Sequence, residues 1–172
     1  MGQQDRDGLG AGGWDSRMIM PDEWIELREK NAAEWLLGDA GAITFIRMFM
    51  QAVEAWDDLI DEDTDYNPAQ INEAFLCALY GIPALPFYQR HAAMLQPLIL
   101  IGINAFHDSN ILCTHEQEKM RNMAFHLRNY LLDLYIMCAF IVGGYEHMRK
   151  VSVEIREFFA FETFKGWDTW QM

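Results

Sequence analysis

The sequence predicts an all-α protein, an irregular bundle of about six helices. Three observations support this fold class. Apolar residues recur at steps of three and four, as in Ile43, Ile46, Met50 and Val53, and this is the spacing of one face of a helix. Residues that start and end helices separate these amphipathic runs. No segment shows the alternation of apolar and polar residues that a half-buried strand requires.

The first three helices are predicted from their boundaries. Pro21, followed by two acidic residues, suits a first turn, and Gly38 suits the end of a helix over residues 21–37. The second helix is expected over residues 40–61 and carries the clearest amphipathic run. Asn67 before Pro68 is typical of a helix start, so a third helix is expected over residues 68–80, with Gly81 ending it.

Three further helices are predicted in the second half of the chain. In the fourth, over residues 86–110, Pro97 is expected either to kink the helix or to split it in two. Thr114 and Gln117 form a capping-box pattern at the start of a fifth helix over residues 115–142. Gly143 and Gly144 are expected to break or bend the chain before a sixth helix over residues 145–159.

The two terminal segments differ in composition from the helical domain, which is predicted over residues 21–160. Residues 1–20 contain five glycines and form an extended arm that is either flexible or bound to a partner. Residues 161–172 form an aromatic tail. Because aromatic residues dominate interface hot spots, partner binding is predicted for Trp14, Phe161, Phe164, Trp167 and Trp170. The alternative is that the tail folds back onto the bundle.

The net charge and the cysteines indicate which partners and which cellular compartment to expect. The 172 residues include 13 Lys and Arg against 26 Asp and Glu, a net charge of −13. Such a surface repels phosphate groups, so we expect no direct nucleic-acid binding and no membrane binding. The longest apolar runs are shorter than the roughly 20 residues that span a bilayer. Cys77, Cys113 and Cys138 lie in apolar settings without a C-x-x-C pair, which indicates reduced core thiols in a cytoplasmic protein.

Acidic residues are concentrated at the end of the second predicted helix. In EAWDDLIDEDTD, residues 54–65, Asp57 and Asp61 lie one helical turn apart, and Asp58 lies beside them. Like charges this close repel one another, and a hard cation such as Mg²⁺ or Mn²⁺ would relieve the repulsion. The sequence therefore predicts a cation site at Asp57, Asp58 and Asp61. The alternative is a solvated, negatively charged helix end.

The stretch WDDLIDED, residues 56–63, resembles the first aspartate-rich motif, D-D-x-x-D, of trans-prenyl diphosphate synthases. The resemblance implies that Asp57, Asp58 and Asp61 hold Mg²⁺ against a substrate diphosphate. It covers under a tenth of the chain. Thr64, Asp65 and Tyr66 stand where the family has an arginine pair, and no second aspartate-rich repeat follows.

A polar stripe is predicted along the fifth helix. Asn122, His126, Asn129 and Asp133 recur at steps of four, three and four. His126 and Asp133 could complete the cation site if they faced the acids of the second helix. Otherwise they pair with each other or with Arg128, or form a solvated stripe.

The functional prediction is a structural or assembly protein that acts through protein–protein contacts, with protein partners or further copies of itself. The run from the W-D-D-L-I-D segment through the N-P, P-F-Y, G-G and E-I-R segments, spread over residues 56–156, resembles small helical proteins of tailed bacteriophages. That resemblance implies a subunit of a virion-type complex, located in the host cytoplasm or in the virion.

The alternative function is a divalent-metal-dependent enzyme that uses the aspartate-rich helix end, with Mg²⁺ or Mn²⁺ as its cofactor. A structural or assembly protein would need no cofactor. A regulator that mimics nucleic acid through its negative charge is a third interpretation. The sequence lacks a P-loop, a Rossmann glycine pattern, a nucleophile elbow and zinc-ligand spacing. These absences favour a non-enzymatic role without deciding it.

Overall fold

The computed structural model describes residues 22–60 and 67–167, and the side chains of residues 26–60 and 67–159. These residues form helices and no strand, which confirms the all-α fold class. Five continuous helical segments are present where the sequence predicts about six. They are α1 (Asp22–Trp35), α2 (Ala40–Ile60), α3 (residues 68–84), α4 (Pro86–Leu112) and α5 (residues 118–167). The predicted arm over residues 1–20 lies outside the described residues.

Two predicted helix boundaries are confirmed by their local geometry. Asn67 accepts hydrogen bonds from the backbone N–H groups of Ala69 and Gln70, at 2.9 and 3.1 Å, and the Gln70 side chain accepts from the Asn67 N–H at 3.1 Å. This capping box satisfies N–H groups that have no partner inside the helix. At the end of α1 the chain turns through Leu37 and Gly38, with φ values of 53° and 70°.

α3 does not end at Gly81 as the sequence predicts. Pro68–Leu76 continues into a π-helical turn, Cys77–Gly81, and then into Ile82–Ala84. The Ile82 N–H donates to the Cys77 carbonyl, five residues back. This wider turn keeps the chain helical through a glycine, because Gly81 here has an ordinary right-handed conformation.

α4 is one helix, because Pro97 lies inside it without splitting it. α5 starts at Glu118, three residues after the predicted start, and the Thr114 capping box does not form. Thr114 instead donates to the Ile111 carbonyl at the end of α4, and the His115 ring accepts from the Gln117 N–H. A local side-chain bond has therefore replaced the predicted cap.

α5 contains three parts and one bend. Glu118–Arg128 leads through a 3-10 turn, Asn129–Leu132, into Asp133–Trp167. Gly144 has φ 73° and ψ −174°, a backbone conformation in which a residue with a side chain would be strained. This conformation changes the direction of the helix axis. The predicted fifth and sixth helices are thus two limbs of one segment. Its backbone continues past residue 159, to Trp167.

The core is centred on Trp35, the last residue of α1. Its indole ring contacts Tyr135, which precedes the bend of α5, and Phe158 and Phe159, which follow it, at centroid distances of 6.0, 5.5 and 6.3 Å. His147 donates from Nε2 to the Trp35 carbonyl at 2.7 Å. The end of α1 is therefore held by both limbs of α5.

α5 is long and apolar enough, by length and composition, to cross a membrane, with a mean hydropathy of 1.3 in its most apolar stretch. The core helix of a soluble protein has the same composition. About 33% of this stretch is buried inside the bundle, and its buried residues, among them Leu134, Cys138 and Ala139, contribute to the core of this fold.

α4 and α5 pack closely where Leu131 lies against Gly102. A Cβ added to Gly102 would clash with Leu131 Cδ2, well inside van der Waals contact. Both residues are buried. The missing side chain at Gly102 therefore sets how closely the two helices approach.

We expect Gly102→Ala to destabilise the protein by about 1–3 kcal/mol, because the added methyl group overpacks this contact. The same change should cost markedly less in a Leu131→Ala background, where the clashing methyl groups are gone. Urea unfolding of the wild type, both single variants and the double variant measures the coupling. Additive effects of the two changes would contradict the contact.

Candidate functional site

The acidic end of α2 is tied to the rest of the bundle by an ion pair. Arg128 donates from Nη2 to Asp57 Oδ1 at 2.9 Å, and its side chain is only 10% exposed. The Arg128 guanidinium also lies over the Phe106 ring, 5.1 Å from its centroid. Phe106 in turn packs against Trp56, with 4.5 Å between ring centroids. Asp57 therefore helps to hold α2 against α4 and the first part of α5.

The polar stripe of α5 forms one wall of a cleft. His126, Asn129 and Asp133 line it together with Arg156 from the second limb of α5, around a volume of about 380 Å³. Arg156 donates to Asp133 Oδ1 at 2.6 Å. Asn129 donates to the Phe125 carbonyl at 2.9 Å. His126 is exposed, so this arrangement is a solvent-facing cleft that brings together the two limbs of α5.

The two predicted halves of the cation site have different arginine partners. Asp57 pairs with Arg128, and Asp133 pairs with Arg156. Among the residues that the structure describes, no three His, Cys, Asp or Glu side chains form a group that could hold a metal ion. Asp58 belongs to α2, and Asp61 lies outside the described residues. The cation site and its Mg²⁺ or Mn²⁺ thus stay a prediction.

Thermal unfolding with EDTA and then with millimolar Mg²⁺ or Mn²⁺ tests the cation site. An ion at about 100 times its dissociation constant adds roughly 2.7 kcal/mol and raises the midpoint by a few degrees. The cation hypothesis expects this rise in the wild type and its loss in Asp57→Asn/Asp61→Asn. Equal midpoints with EDTA and with each ion would reject it.

The ion pair at Asp57 makes its own prediction. Asp57→Asn should lower the free energy of unfolding by about 1–3 kcal/mol, because it leaves the largely buried Arg128 with a weaker acceptor. Asp133→Asn is a matched control, since Arg156 is 54% exposed and such surface pairs contribute below about 1 kcal/mol. Denaturant unfolding at neutral pH compares the two variants. A loss at Asp133 as large as that at Asp57 would contradict the assignment.

Two groups that can ionise in alkali, the Cys138 thiol and the Tyr135 phenol, are buried in the core. Burial raises the pKa of the Cys138 thiol above its ordinary 9.0 and that of the Tyr135 phenol above its ordinary 10.0. Cys138 is thus kept as an unreactive thiol. Cys77, Cys113 and Cys138 are all buried and none forms a disulfide.

We expect stability to be constant with respect to these two groups below about pH 8.5 and to fall above pH 9. The unfolded chain ionises first, so rising pH favours it, by up to about 1.4 kcal/mol per pH unit for each group. Urea midpoints from pH 7 to 11 should fall less steeply in Cys138→Ala/Tyr135→Phe. Tyr80→Phe, at an exposed phenol, should leave the profile unchanged. If the urea midpoint of the double variant fell with pH as steeply as that of the wild type, ionisation of Cys138 and Tyr135 would not be the cause of the fall.

An apolar surface lies along the second half of α3. Phe75, Leu76, Leu79 and Tyr80 are 56, 61, 75 and 70% exposed, and we call these four residues the α3 face. Large apolar side chains this exposed are ordinary when single, but a contiguous set is typical of an interaction surface. Aromatic anchors such as Phe75 and Tyr80 suit such a surface.

A groove runs between α2 and α3 next to the α3 face. It has a volume of about 220 Å³, and we call it the α2–α3 groove. Its walls are apolar and consist of Ala52, Ala55, Trp56, Leu59, Ile71, Ala74, Phe75 and Ala78. The groove exists because small alanines line both helices where larger side chains would fill the space between them.

Sequence reasoning did not find this surface, and it placed partner binding in the termini instead. Trp14 and Trp170 lie outside the described residues, as do the side chains of Phe161, Phe164 and Trp167. A signal for the α3 face was present, because apolar residues occupy every position from Ala74 to Leu79. A helix that is apolar on all sides has more apolar surface than one core face can bury.

Comparison with protein-family models, with curated proteins and with solved structures gives no match for this chain.

Proposed function

We propose that this chain is a structural or assembly protein that acts through protein–protein contacts, as a subunit of a larger complex of the virion type. The proposal places it in the host cytoplasm or in the virion. The observation that carries it is the α3 face, on which four large apolar side chains are more than half exposed. Their transfer out of water favours association by about 25 cal/mol for each Å² buried.

The size of the surface suits a stable contact. Four side chains of this kind, with the groove beside them, offer an apolar area on the order of 500 Å², at the upper end of what an isolated monomer exposes. One partner of a standard interface contributes about 800 Å² in total. The α3 face can thus form the apolar centre of an interface, with a polar rim around it.

The ion pairs at the two predicted halves of the cation site are consistent with the same proposal. The polar groups described above, Asp57 with Arg128 and Asp133 with Arg156, have partners inside the chain. Such pairs are typical of structural support. The α3 face, in contrast, has large side chains that no other part of the described chain covers.

Sedimentation of an extract of the native source tests this function. The wild-type chain, detected by antibody, should migrate in a particle much larger than its own 20.0 kDa. Leu76→Ser/Tyr80→Ser, which changes the α3 face outside the groove, should move the chain toward the monomer. Leu100→Ser is a matched control, because Leu100 is 69% exposed on α4.

The particle's contents test its type. Nucleic acid that resists nuclease in the same fractions would support a virion-type assembly. Recovery of the wild-type chain as a monomer alone, in the extract and at every concentration of the purified protein, would contradict the assembly function.

A further inference from the structure

We infer that the α2–α3 groove binds a basic amphipathic helix of a partner protein. This inference rests on the proposed function and names the chemistry of the partner. It is carried by the geometry of the groove and by the charge of the two helices that form it.

The groove has the shape of an empty position in a helix bundle. On α2 the lining residues are 52, 55, 56 and 59, and on α3 they are 71, 74, 75 and 78. Both sets have the spacing i, i+3, i+4 and i+7, so each wall is the continuous stripe of one helix face. Side chains of a third helix fit between two such stripes as ridges fit into grooves.

The groove has a floor and a rim. Ala55 and Ala74 are buried at its floor, whereas Leu59 and Phe75 are 44 and 56% exposed at its rim. The stripe on α3 covers about two turns, so an occupant helix would insert two or three apolar residues. Helix-in-groove recognition uses anchors at this same spacing.

The charge of this region selects the occupant. Residues 48–89 contain α3 and most of α2, with eight acidic residues and no Lys, Arg or His. The acids are Glu54, Asp57, Asp58, Asp61, Glu62, Asp63, Asp65 and Glu73. Glu54 and Asp57 form ion pairs with Arg28 and Arg128 from other helices. Residues 48–89 thus carry a net negative charge, and Arg47, the cation in the first half of α2, is paired with Glu29 of α1. This excess of negative charge attracts a positively charged partner.

A second copy of this chain fits the groove less well. Each copy has a net charge of −13, so two copies repel each other as they approach. A helix with apolar residues on one face and Lys or Arg on the other meets both requirements. Its apolar face fills the groove, and its cations lie toward the acidic surroundings.

The test uses the full-length chain and two synthetic peptides of about 18 residues, roughly five helical turns. Both peptides have Leu at positions i, i+3, i+4 and i+7. One has Lys at the remaining positions, and the other has Glu there. Fluorescence anisotropy of the labelled peptides gives the affinities. The Lys peptide should bind at least about tenfold more tightly than the Glu peptide, and this preference should decrease with added salt.

Two variants and a control localise the binding. Ala78→Lys places a cation on the exposed edge of the groove, and Leu59→Ser removes an apolar wall. Each should weaken binding of the Lys peptide by about tenfold or more. Leu100→Ser, outside the groove, should leave the affinity unchanged. Circular dichroism of each variant checks that the helical fold is kept.

The inference is overturned if both peptides bind equally, or if both groove variants bind the Lys peptide as the wild type does. It is also overturned if the purified chain is a dimer that Ala78→Lys dissociates, because a second copy is then the occupant. These results leave the proposed function standing as long as Leu76→Ser/Tyr80→Ser disrupts the native particle. If the chain is monomeric in the native extract, the proposed function itself is contradicted, whichever peptide binds.

Discussion

The rest of the structure depends on the contact of Trp35 with both limbs of α5. α1 ends at this residue, and its ring packs against Tyr135 before the bend and Phe159 after it. This is possible only because Gly144, with φ 73°, redirects the helix. A straight helix of the same length would carry the second limb away from α1, since each residue advances about 1.5 Å along the axis. The conformation of Gly144 thus allows both limbs of α5 to pack against the same core around Trp35.

The same constraint explains how polar residues are used. The bend brings Arg156 of the second limb to Asp133 of the first, at 2.6 Å. Five residues before Asp133 in the chain, Arg128 reaches Asp57 and lies over Phe106. Each carboxylate therefore connects two parts of the chain. An aspartate-rich helix end can be a structural feature even where its spacing resembles that of a metal-binding motif.

α3 is the element that differs from this pattern. It contributes few buried residues, among them Ala74 and Cys77, while Phe75, Leu79 and Tyr80 are exposed. The core of the described chain is already complete around Trp35 without these side chains. Exposed apolar area costs free energy in water, so covering this surface would be favourable. The proposed function and the proposed binding of a partner helix therefore both rest on α3 and the groove beside it.

The sequence by itself determined the fold class, most helix positions and the cap at Asn67, because these depend on residues three or four positions apart. It could not determine that Asp57 pairs with Arg128, which lies 71 residues further along the chain. Nor could it determine the direction in which the helix bends at Gly144. It also could not show that the rest of the described chain leaves the apolar residues of α3 exposed. Periodicity reports that a face is apolar, but only packing over long sequence separations decides whether another helix of the chain covers it. The tertiary structure alone therefore located the α2–α3 groove, since its two walls come from helices that meet only in the folded bundle.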